Sequence, residues 1–512
     1  MAREQLSATA GVVAVLAGIG VAELVAGLAT SVPSPLDALG QQVVELAPGE
    51  VITGAIEVLG GSNRAVLLAL SLVVAAALGA VAGRLAPTRP VAATLLVVAV
   101  AALALAAVLA TPDASLAMSI LTLVGATLVT LAVLRALVLR LTPTPTTVTA
   151  GRSDIAAIDR RGFVRGALAA AVSGLAAATI GRLTAASSTS TGTEDAEVAL
   201  PGPASTLPPV EGDLAGEVPG VSPVLTPVDD FFRIDTAISL PRVDPVDWRL
   251  RIHGLVEREL ELTLDDLLAR ELVEVDATIS CVSNEVGGDL VGTARWLGVH
   301  LAELLDEAGP TPDAEQLVGR SVDDWTAGFP LEVARDGRDA IVAVAMNDEQ
   351  LPRRHGFPAR LVVPGLYGYV SATKWLAEIE LTTWDGFDGY WVPLGWSKRA
   401  PVKTTSRIDV PADGAEVDGD QMVAAGVAWA PVRGIERVEV RVDEGDWIDA
   451  QLAPALSDAT WVQWHLTLEL PAGEHRLAVR AVDGDGQVQP EGPAPPSPNG
   501  AEGWHTVSVR VA

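Results

Sequence analysis

The stretch ATISCVSNEVGGDLVGTARWLG, residues 277–298, contains the only cysteine of this 512-residue chain. A strand-like apolar run ends at Cys281, and a polar, glycine-rich loop follows it. The end of a strand, where it enters a loop, is a common position for a functional side chain. A thiolate is also a soft ligand that suits a sulfur-ligated metal. Because a lone cysteine is often a buried core residue, periodicity alone leaves both interpretations open.

Cysteine and histidine usage limits the cofactors that the chain can bind. One cysteine cannot form an intramolecular disulfide, and iron–sulfur clusters and zinc knuckles need several thiolates. The first histidine is His253, so residues 1–252 cannot bind a haem through two histidines. No flavin motif occurs in the sequence. We therefore expect no haem, no iron–sulfur cluster and no flavin.

Short strand and helix signals surround the cysteine. WRLRIHGLV, residues 248–256, alternates apolar and polar side chains, as a half-buried strand does. LTLDDLLARE, residues 262–271, predicts a short helix with Thr263 as its N-cap. The apolar run ARLVVPG, residues 359–365, ends at a Pro-Gly pair. Together these patterns predict an α+β domain over residues 226–400.

Helical signals are absent after residue 400, and strand-like runs separated by Gly/Asp turns replace them. These runs are VAAGVAWAP (423–431), ERVEVRVDEGDW (436–447), WVQWHLTLEL (461–470), HRLAVRAVDGDGQVQP (475–490) and HTVSVRVA (505–512). They predict an all-β, immunoglobulin-like sandwich over residues 401–512. Because the cysteine pair of immunoglobulin domains is absent, packing alone would hold this sandwich together.

The N-terminal part of the chain is apolar. A run of about 20 apolar residues is long enough to cross a bilayer as a helix. Four clear runs and a weaker fifth, rich in Ala and Gly, occur at about 7–30, 65–85, 91–110, 115–140 and 162–183. A soluble helical core would not hide four uncharged runs of this length. We therefore predict a four-helix transmembrane domain over residues 1–145.

Basic residues between the apolar runs predict their orientation in the membrane. Two arginines lie between the second and third runs, and five lie between the fourth and fifth: Arg84 and Arg89, then Arg135, Arg140, Arg152, Arg160 and Arg161. The positive-inside rule then places the N-terminus in the cytoplasm and everything after residue 185 outside. The sequence thus predicts a multi-pass protein of the cell membrane with its polar domains on the extracytoplasmic face.

The fifth run opens with DRRGFVRG, residues 159–166, which resembles a twin-arginine export signal. Residues 146–190 are predicted to form a basic loop and the fifth span. We expect this span to stay in the membrane as an anchor, and cleavage near residues 185–188 is the alternative. Residues 191–225 are rich in Ser, Thr, Pro and Gly, and they predict a flexible linker.

Charge separates the two halves of the chain. Residues 1–190 hold nine acidic and eleven basic residues, whereas residues 191–512 hold 55 acidic and 24 basic residues. Such an acidic surface repels phosphates and argues against a nucleic-acid partner. Acidic excess with three lysines against 32 arginines favours a halophilic protein, because salt screens its self-repulsion. A GC-rich genome that favours Arg codons is the alternative explanation.

Five motifs of the polar half resemble, in the same order, the sulfite oxidase family of molybdopterin enzymes. They are FFRID (231–235), ISCVSNEVGGDLVGTARWLGV (279–299), MNDEQLPRRHGFPARLVVPGLYGY (346–369), TKWL (373–376) and AVDGDGQVQP (481–490). The resemblance covers about residues 225–512 and leaves out the family's haem-bearing cytochrome b5 domain. It implies one molybdenum bound by a single pterin dithiolene, by oxygen ligands and by one cysteine thiolate, here Cys281.

The resemblance also implies which residues bind the pterin. The matching positions are Arg233, Asp323, His355, Arg360, Thr373 and Lys374. Of these, His355 and Arg360 match the phosphate-binding positions, and a dianionic phosphate suits Arg as a bidentate partner and Lys as a point charge. Without the motif, Arg360 would be interpreted as the partner of a surface carboxylate and His355 as a core histidine. Trp296 and Trp375 are expected in the core.

The chain departs from the sulfite-oxidising members of that family around the substrate. Those members have a tyrosine at the position of Trp325 and an arginine near Glu285 and Val286. They have a further arginine near a tryptophan pair, where this chain has WVQW (461–464). Clustered arginines would bind the sulfite dianion. Their loss predicts a neutral or cationic oxo donor or acceptor, such as a sulfoxide.

The sequence therefore predicts a molybdopterin-dependent oxidoreductase that transfers oxygen atoms outside the membrane, with Cys281 and Trp325 as active-site residues. Electrons would pass through a separate electron-transfer protein or membrane subunit, and the family's sandwich domain implies a homodimer. One alternative is a non-catalytic redox or assembly membrane protein that retains the fold. A transporter is a further alternative. Charged residues, which usually mark a transport path, are nearly absent inside the spans, and Glu23 is the closest case.

Overall fold

The computed structural model describes residues 2–29, 32–47, 51, 54, 63–111, 114–141, 160–190, 198–237, 240–419 and 421–512. The chain forms two compact units, which comprise residues 1–194 with 237–242, and residues 195–236 with 243–512. The first unit is helical, and the second combines β-sheets with short helices.

The described helices of the first unit are α1 (Ala2–Leu28), α2 (Pro35–Leu46), α3 (Asn63–Leu85), α4 (Pro90–Leu109), α5 (Leu116–Leu141) and α6 (Arg160–Ser190). All except α2 are long and apolar enough to cross a membrane. These five helices correspond to the five predicted apolar runs. Helix α2 has 12 residues, or about 18 Å of length, which is shorter than the apolar thickness of a bilayer.

Helix α1 lies at the centre of the first unit and contacts α3, α5 and α6. Glycines permit this close packing. A Cβ atom on Gly11 would lie 1.8 Å from the Gly79 carbonyl oxygen of α3, and one on Gly18 would lie 2.0 Å from Thr130 Oγ1 of α5. Close backbone approach through small residues is how helices associate in lipid, where burial of apolar side chains provides little driving force.

The second unit begins with ten strands: β1 (Arg249–Gly254), β2 (Leu260–Thr263), β3 (Val273–Ser280), β4 (Val291–His300), β5 (Gln316–Ser321), β6 (Thr326–Pro330), β7 (Ile341–Met346), β8 (Glu349–Gln350), β9 (Arg360–Val362) and β10 (Leu376–Thr382). They form two sheets of order β2-β1-β10-β5-β6 and β3-β4-β7-β8, and β9 pairs with β7. The α+β character predicted for this region is therefore observed.

Three short helices lie among these strands: α7 (Leu264–Leu268), α8 (Leu301–Ala308) and α9 (Gly368–Ser371). The predicted N-cap of α7 is confirmed. The Thr263 hydroxyl accepts a hydrogen bond from the Asp266 amide, and the Asp266 carboxylate accepts one from the Thr263 amide. This reciprocal pair satisfies two donors that the helix itself leaves free.

Nine further strands follow: β11 (Thr405–Val410), β12 (Ala415–Val417), β13 (Gln421–Trp429), β14 (Ile435–Val442), β15 (Trp447–Asp449), β16 (Gln451–Leu452), β17 (Val462–Glu469), β18 (Gly473–Asp483) and β19 (His505–Val511). They form two sheets of order β11-β13-β17-β16 and β12-β19-β18-β14-β15. Ile408 and Trp464 from one sheet share an apolar core with Val440 and Val479 from the other. The β-rich C-terminal region is confirmed, and its immunoglobulin-like character stays a prediction.

The segment expected to be a flexible linker is part of the second unit over residues 198–225 and packs against its strands. Leu214 and Val224 are buried. The Leu214 amide donates to Gln463 Oε1 at 2.9 Å, and Gln463 Nε2 donates to the Ser222 carbonyl at 2.7 Å. Composition predicted the lack of regular structure but not these tertiary contacts, because their partners lie about 240 residues away in sequence. For these residues the expectation of flexibility was wrong.

Candidate functional site

Cys281 directly follows β3, at the start of the connection to β4. The two strands pair in antiparallel register from Val273 opposite Gly298 to Ser280 opposite Val291, which anchors both ends of the connection. The Cys281 amide also donates to the Leu290 carbonyl at 2.9 Å. This paired frame holds the cysteine, which is 8% exposed, at the wall of a pocket.

The pocket contains about 760 Å³ of unfilled space, including its opening. Cofactor and ligand sites usually measure roughly 300–1,000 Å³. Its aromatic walls are Phe231, Phe232, Trp325, Tyr369, Trp375 and Trp391. Its ionisable side chains, besides the cysteine, are Asp235, Asp323, His355, Arg360 and Lys374. The structure thus brings six of the eight predicted site residues to one cavity, and only Arg233 and Thr373 are not in its lining.

Arg360 is a buried cation, 5% exposed, at the start of β9. Its Nη1 donates to the His355 carbonyl at 3.0 Å, and its guanidinium lies 4.9 Å from the ring centre of Trp296. Burial lowers the pKa of Arg360 to about 9, and no carboxylate of the described residues forms an ion pair with it. Because an unpaired buried cation is costly, this position favours a bound anion.

Lys374 lies in the same pocket but has a partner. Its Nζ forms an ion pair with Asp235 Oδ2 at 2.7 Å, and Arg233 Nε approaches the same oxygen at 2.8 Å. Burial lowers the pKa of Lys374 to about 8 although Asp235 opposes this effect. Burial disfavours ionisation of Asp235, but Lys374 and Arg233 outweigh it and lower the pKa of that carboxyl. Arg233 therefore contacts the pocket only through Asp235.

Asp323 and Trp325 lie in the turn that joins β5 to β6. The Ser321 amide donates to the Trp325 carbonyl at 2.9 Å, and the Trp325 amide donates to Asp323 Oδ1 at 3.4 Å. Asp323 lines the pocket, whereas the neighbouring Asp324 is exposed. Burial raises the pKa of Asp323. The pocket thus contains one carboxyl group that retains a proton more readily than an ordinary aspartate.

Thr373 lies behind the pocket wall. Its side chain is fully buried, and a Cβ on Gly319 of β5 would lie 2.5 Å from its Oγ1. That hydroxyl has no hydrogen-bond partner among the residues that the structure describes. The backbone carbonyl of Thr373 accepts a hydrogen bond from the Leu361 amide at 2.9 Å, which ties the TKWL segment to β9. A cofactor contact from the Thr373 side chain stays a prediction.

Comparison with known proteins identifies the family. Residues 237–391 match the family described as oxidoreductase molybdopterin binding domain, and residues 399–511 match the Mo-co oxidoreductase dimerisation domain. The chain is 30% identical to the sulfite oxidase of Gallus gallus over 321 residues, which cover 53% of this chain and 69% of that protein. This chain belongs to the sulfite oxidase family.

A second sulfite oxidase agrees with this assignment to the family. The mitochondrial sulfite oxidase of Mus musculus is 31% identical over 341 residues, which cover 56% of this chain and 62% of that protein. The chain therefore spans less than two thirds of that relative's length. Among solved structures, the sulfane dehydrogenase SoxCD from Paracoccus pantotrophus is 26% identical, with a TM-score of 0.49 and coverage of 56% of this chain and 81% of that one.

The pocket residues fit the molybdenum cofactor of the sulfite oxidase family. Burial raises the pKa of the Cys281 thiol, but hydrogen bonds from the backbone and hydroxyl of Ser283 and the charge of Lys374 oppose this effect. A coordinating metal deprotonates a thiol outright. The guanidinium of Arg360, which has no carboxylate partner among the described residues, suits a phosphate group. The cavity therefore offers a soft metal ligand and an anion-binding cation in one enclosed space.

Sequence reasoning missed three contributors to this site. Asp235 belongs to the FFRID motif itself, and its separation of two residues from Arg233 was a signal for an acid–base pair. Ser283 lies two residues after the cysteine, where a hydroxyl is a plausible thiolate partner. Trp391 gave no signal, because only the tertiary fold places it beside the pocket, where its ring packs edge-on against Trp396 at 6.2 Å between centroids.

In the His355→Gln variant, the free energy of unfolding is expected to decrease less steeply than in the wild type as the pH is lowered below about 6.5. Burial and the charge of Arg360 lower the pKa of His355 to about 3, whereas an unfolded histidine titrates near 6.5. The unfolded chain therefore binds more protons between these pH values, and stability falls as the pH falls through them. Glutamine, which is neutral throughout, should remove up to about 1.4 kcal/mol per pH unit from this slope.

The measurement is urea unfolding of the cofactor-free protein at pH 7, 6 and 5. His475→Gln is the control, and it should change the pH dependence of the free energy of unfolding in the opposite direction. The hydrogen bond to Asp443 raises the pKa of His475, so the wild-type residue adds stability at low pH and its loss should steepen the fall. Equal slopes for the wild type and His355→Gln would contradict a buried neutral histidine.

Proposed function

We propose that this member of the sulfite oxidase family transfers an oxygen atom to or from a neutral or cationic organic substrate, such as a sulfoxide or an N-oxide. The charge distribution of the pocket supports this substrate class. Lys374 is already paired with Asp235, and Arg360 is assigned to the pterin phosphate. Asp323 adds a carboxyl group that forms no ion pair among the described residues. A sulfite dianion would therefore find no free guanidinium among the described residues that line the pocket.

The pocket residues have distinct proposed roles. When bound, the molybdenum cofactor of this family supplies two-electron oxygen-atom transfer. Cys281 would ligate the metal, while Arg360 with His355 and Lys374 would bind the pterin. Asp323, whose pKa is raised by burial, would hold or release the proton that accompanies oxygen exchange, because burial makes its carboxyl group bind a proton more readily than an ordinary aspartate does.

Aromatic side chains would form the substrate wall. Trp325, Tyr369 and Trp391 line the pocket, and tyrosine and tryptophan faces bind methylated or cationic groups while excluding water. Tyr369 is fixed by a hydrogen bond from its hydroxyl to the Ser397 carbonyl. A rigid aromatic wall of this kind favours an organic substrate over a small hydrated anion, because its faces offer no hydrogen-bond donors to an anionic oxygen.

The proposal extends to location and partners. The five apolar helices support a multi-pass membrane protein, and the arginine distribution supports catalysis on the extracytoplasmic face. The boundaries proposed for the domains are 1–145, 146–190, 191–225, 226–400 and 401–512. The match of residues 399–511 to a dimerisation domain supports a homodimer. A separate electron carrier or membrane subunit would complete the electron path.

A substrate panel tests this function directly. The purified full-length protein is expected to contain molybdenum and pterin, and to have a kcat/KM for methyl sulfoxides or N-oxides at least about 100-fold above that for sulfite, or about 2.7 kcal/mol of transition-state discrimination. Anaerobic absorption spectra with each compound, followed by steady-state kinetics with an artificial electron donor or acceptor, measure both properties. Rapid reduction of the metal by low micromolar sulfite would overturn the proposed substrate class. Absence of molybdenum would favour the non-catalytic alternative.

A further inference from the structure

The first, helical unit is called the membrane unit below. It contains a second large cavity, with about 820 Å³ of unfilled space including its opening. Its walls come from α1, α2, α3, α4 and α5, and none of its lining side chains is aromatic. Small side chains leave the space open, among them Gly18, Ala22, Ala75, Ala104 and Ala126. Interiors of membrane proteins are otherwise packed closely, since an empty apolar space loses its dispersion contacts.

One end of this cavity carries a single ionisable side chain, Glu23 of α1, which is 3% exposed. Glu23 Oε1 accepts a hydrogen bond from Ser34 Oγ at 2.8 Å, and Oε2 forms an ion pair with Arg182 Nε of α6 at 2.9 Å. Arg182 also approaches Asp37 Oδ1 at 3.1 Å. The described contacts of Oε2 leave one of its two lone pairs available to a ligand.

Packing of α6 against α1 holds this charged end in place. A Cβ on Gly20 would lie 2.2 Å from the Gly174 carbonyl oxygen, and one on Gly27 would lie 2.1 Å from the Gly181 carbonyl oxygen. Both pairs are separated by 154 residues in sequence, so the two helices run parallel and in a fixed register. Arg182 is therefore positioned by backbone contacts on both helices, beside the carboxylate of Glu23, which is a lining residue of the cavity.

A buried charge within a membrane unit usually marks a functional site, and the cavity supplies the matching shape. The apolar walls extend along α3 from Ser71 to Ala82, or about 17 Å. The ligand is therefore an amphiphile with an aliphatic tail and a small head that donates a hydrogen bond to a carboxylate. A phospholipid fits poorly, because its phosphate would lie against Glu23.

The need of the proposed enzyme for an electron-transfer partner indicates which amphiphile binds. A molybdenum oxidoreductase must exchange electrons with a partner, and one span would suffice to anchor a polar domain. The described part of the membrane unit contains no histidine that would bind haem. An isoprenoid quinone carries electrons without any metal, dissolves in the bilayer, and in its reduced form has a hydroxyl that donates to a carboxylate.

We propose that the cavity of the membrane unit binds an isoprenoid quinone, with the hydroxyl of the reduced head at Glu23 and the tail along α3 and α4. This inference rests on the membrane location proposed above. Binding itself requires no turnover, so it is tested separately from the oxygen-atom transfer. Binding at this site would hold a quinone of the membrane pool on the same chain as the oxidoreductase domain, and the separate electron carrier proposed above would still complete the electron path.

The test uses a substitution that fills the cavity and measures how much quinone stays bound. Ala104 of α4 lines the cavity and is buried, whereas the neighbouring Leu103 is 66% exposed on the outer surface. Full-length wild type, Ala104→Phe and Leu103→Phe are purified in detergent, and their bound quinone is extracted and quantified by mass spectrometry. About one quinone per chain is expected for wild type and Leu103→Phe, with at least a tenfold loss in Ala104→Phe.

Controls separate loss of binding from loss of folding. The smaller substitution Ala101→Leu, at another lining position, is expected to lower quinone content about threefold without misfolding. Quinone-depleted wild type should be stabilised against heat by a short-chain quinol, and Ala104→Phe should not. Equal quinone content in all variants, or recovery of phospholipid alone, would overturn the proposal. Quinone binding without turnover of any substrate would instead overturn the proposed function and leave this site standing.

Discussion

Cys281→Ser is expected to lower kcat by at least about 1,000-fold, which corresponds to about 4 kcal/mol of transition-state stabilisation. A serine hydroxyl remains protonated at neutral pH and is a hard donor, whereas the metal of this family is matched to a soft thiolate. The substitution removes little volume at a position that is 8% exposed. The pterin should therefore stay bound through Arg360 and Lys374 while turnover is lost.

Three measurements test this outcome: kcat with the best substrate of the panel, molybdenum content, and pterin content after oxidative release. Val282→Ala is the matched control, because Val282 adjoins the cysteine but is buried in the apolar core. That variant should lose stability by about 1 kcal/mol and keep its kcat per bound molybdenum. A Cys281→Ser protein with wild-type turnover and an unchanged metal spectrum would refute the ligand assignment.

Arg360→Met is expected to weaken pterin binding by at least about 100-fold. Truncating one partner of a buried charge pair costs roughly 2–5 kcal/mol, much of it because the other charge is left unpaired. Here the remaining charge would be the pterin phosphate. Methionine preserves the length and apolar contacts of the side chain over the Trp296 ring, so packing should change little.

In the cofactor-free protein, the same substitution should not be destabilising. Arg360 is buried and has no carboxylate partner among the described residues, so its removal leaves no counter-charge behind and should leave stability unchanged or raised. Thermal unfolding with and without cofactor measures both effects. Arg335→Met, at an exposed residue that pairs with Asp306, is the control and should alter neither. Strong destabilisation of the cofactor-free variant with unchanged cofactor content would show a purely structural role.

Sequence reasoning anticipated the parts of the fold that depend on local pattern. The five predicted apolar runs form helices, and the strand-like runs predicted after residue 400 form strands. Both could be predicted because the length of an apolar run and the alternation of side chains are properties of short segments. The N-cap at Thr263 was predicted for the same reason. The family motifs also located Cys281, His355 and Arg360, which the fold brings to one pocket.

Contacts between distant segments were not visible in the sequence. Residues 198–225 have the composition of a linker, yet their buried positions are held by Gln463 on β17. Glu23 was noted only as the charged residue closest to the interior of a predicted span, and its pairing with Arg182 joins the apolar helices α1 and α6. Neither contact follows from composition, because each depends on which surfaces meet after folding.

The sequence by itself determined where the long apolar helices, the candidate metal-ligating cysteine and the β-rich C-terminal region lie, since each is encoded within a few tens of consecutive residues. Only the tertiary structure decided which charges are paired. Lys374 meets Asp235 across 139 residues of sequence, while Arg360 is buried with no carboxylate partner in the part of the chain that the structure describes. That difference separates a cation that is already neutralised from one that favours an anionic ligand. It arises because electrostatic energy depends on distance in space and on exclusion of water, neither of which is a local property of the chain.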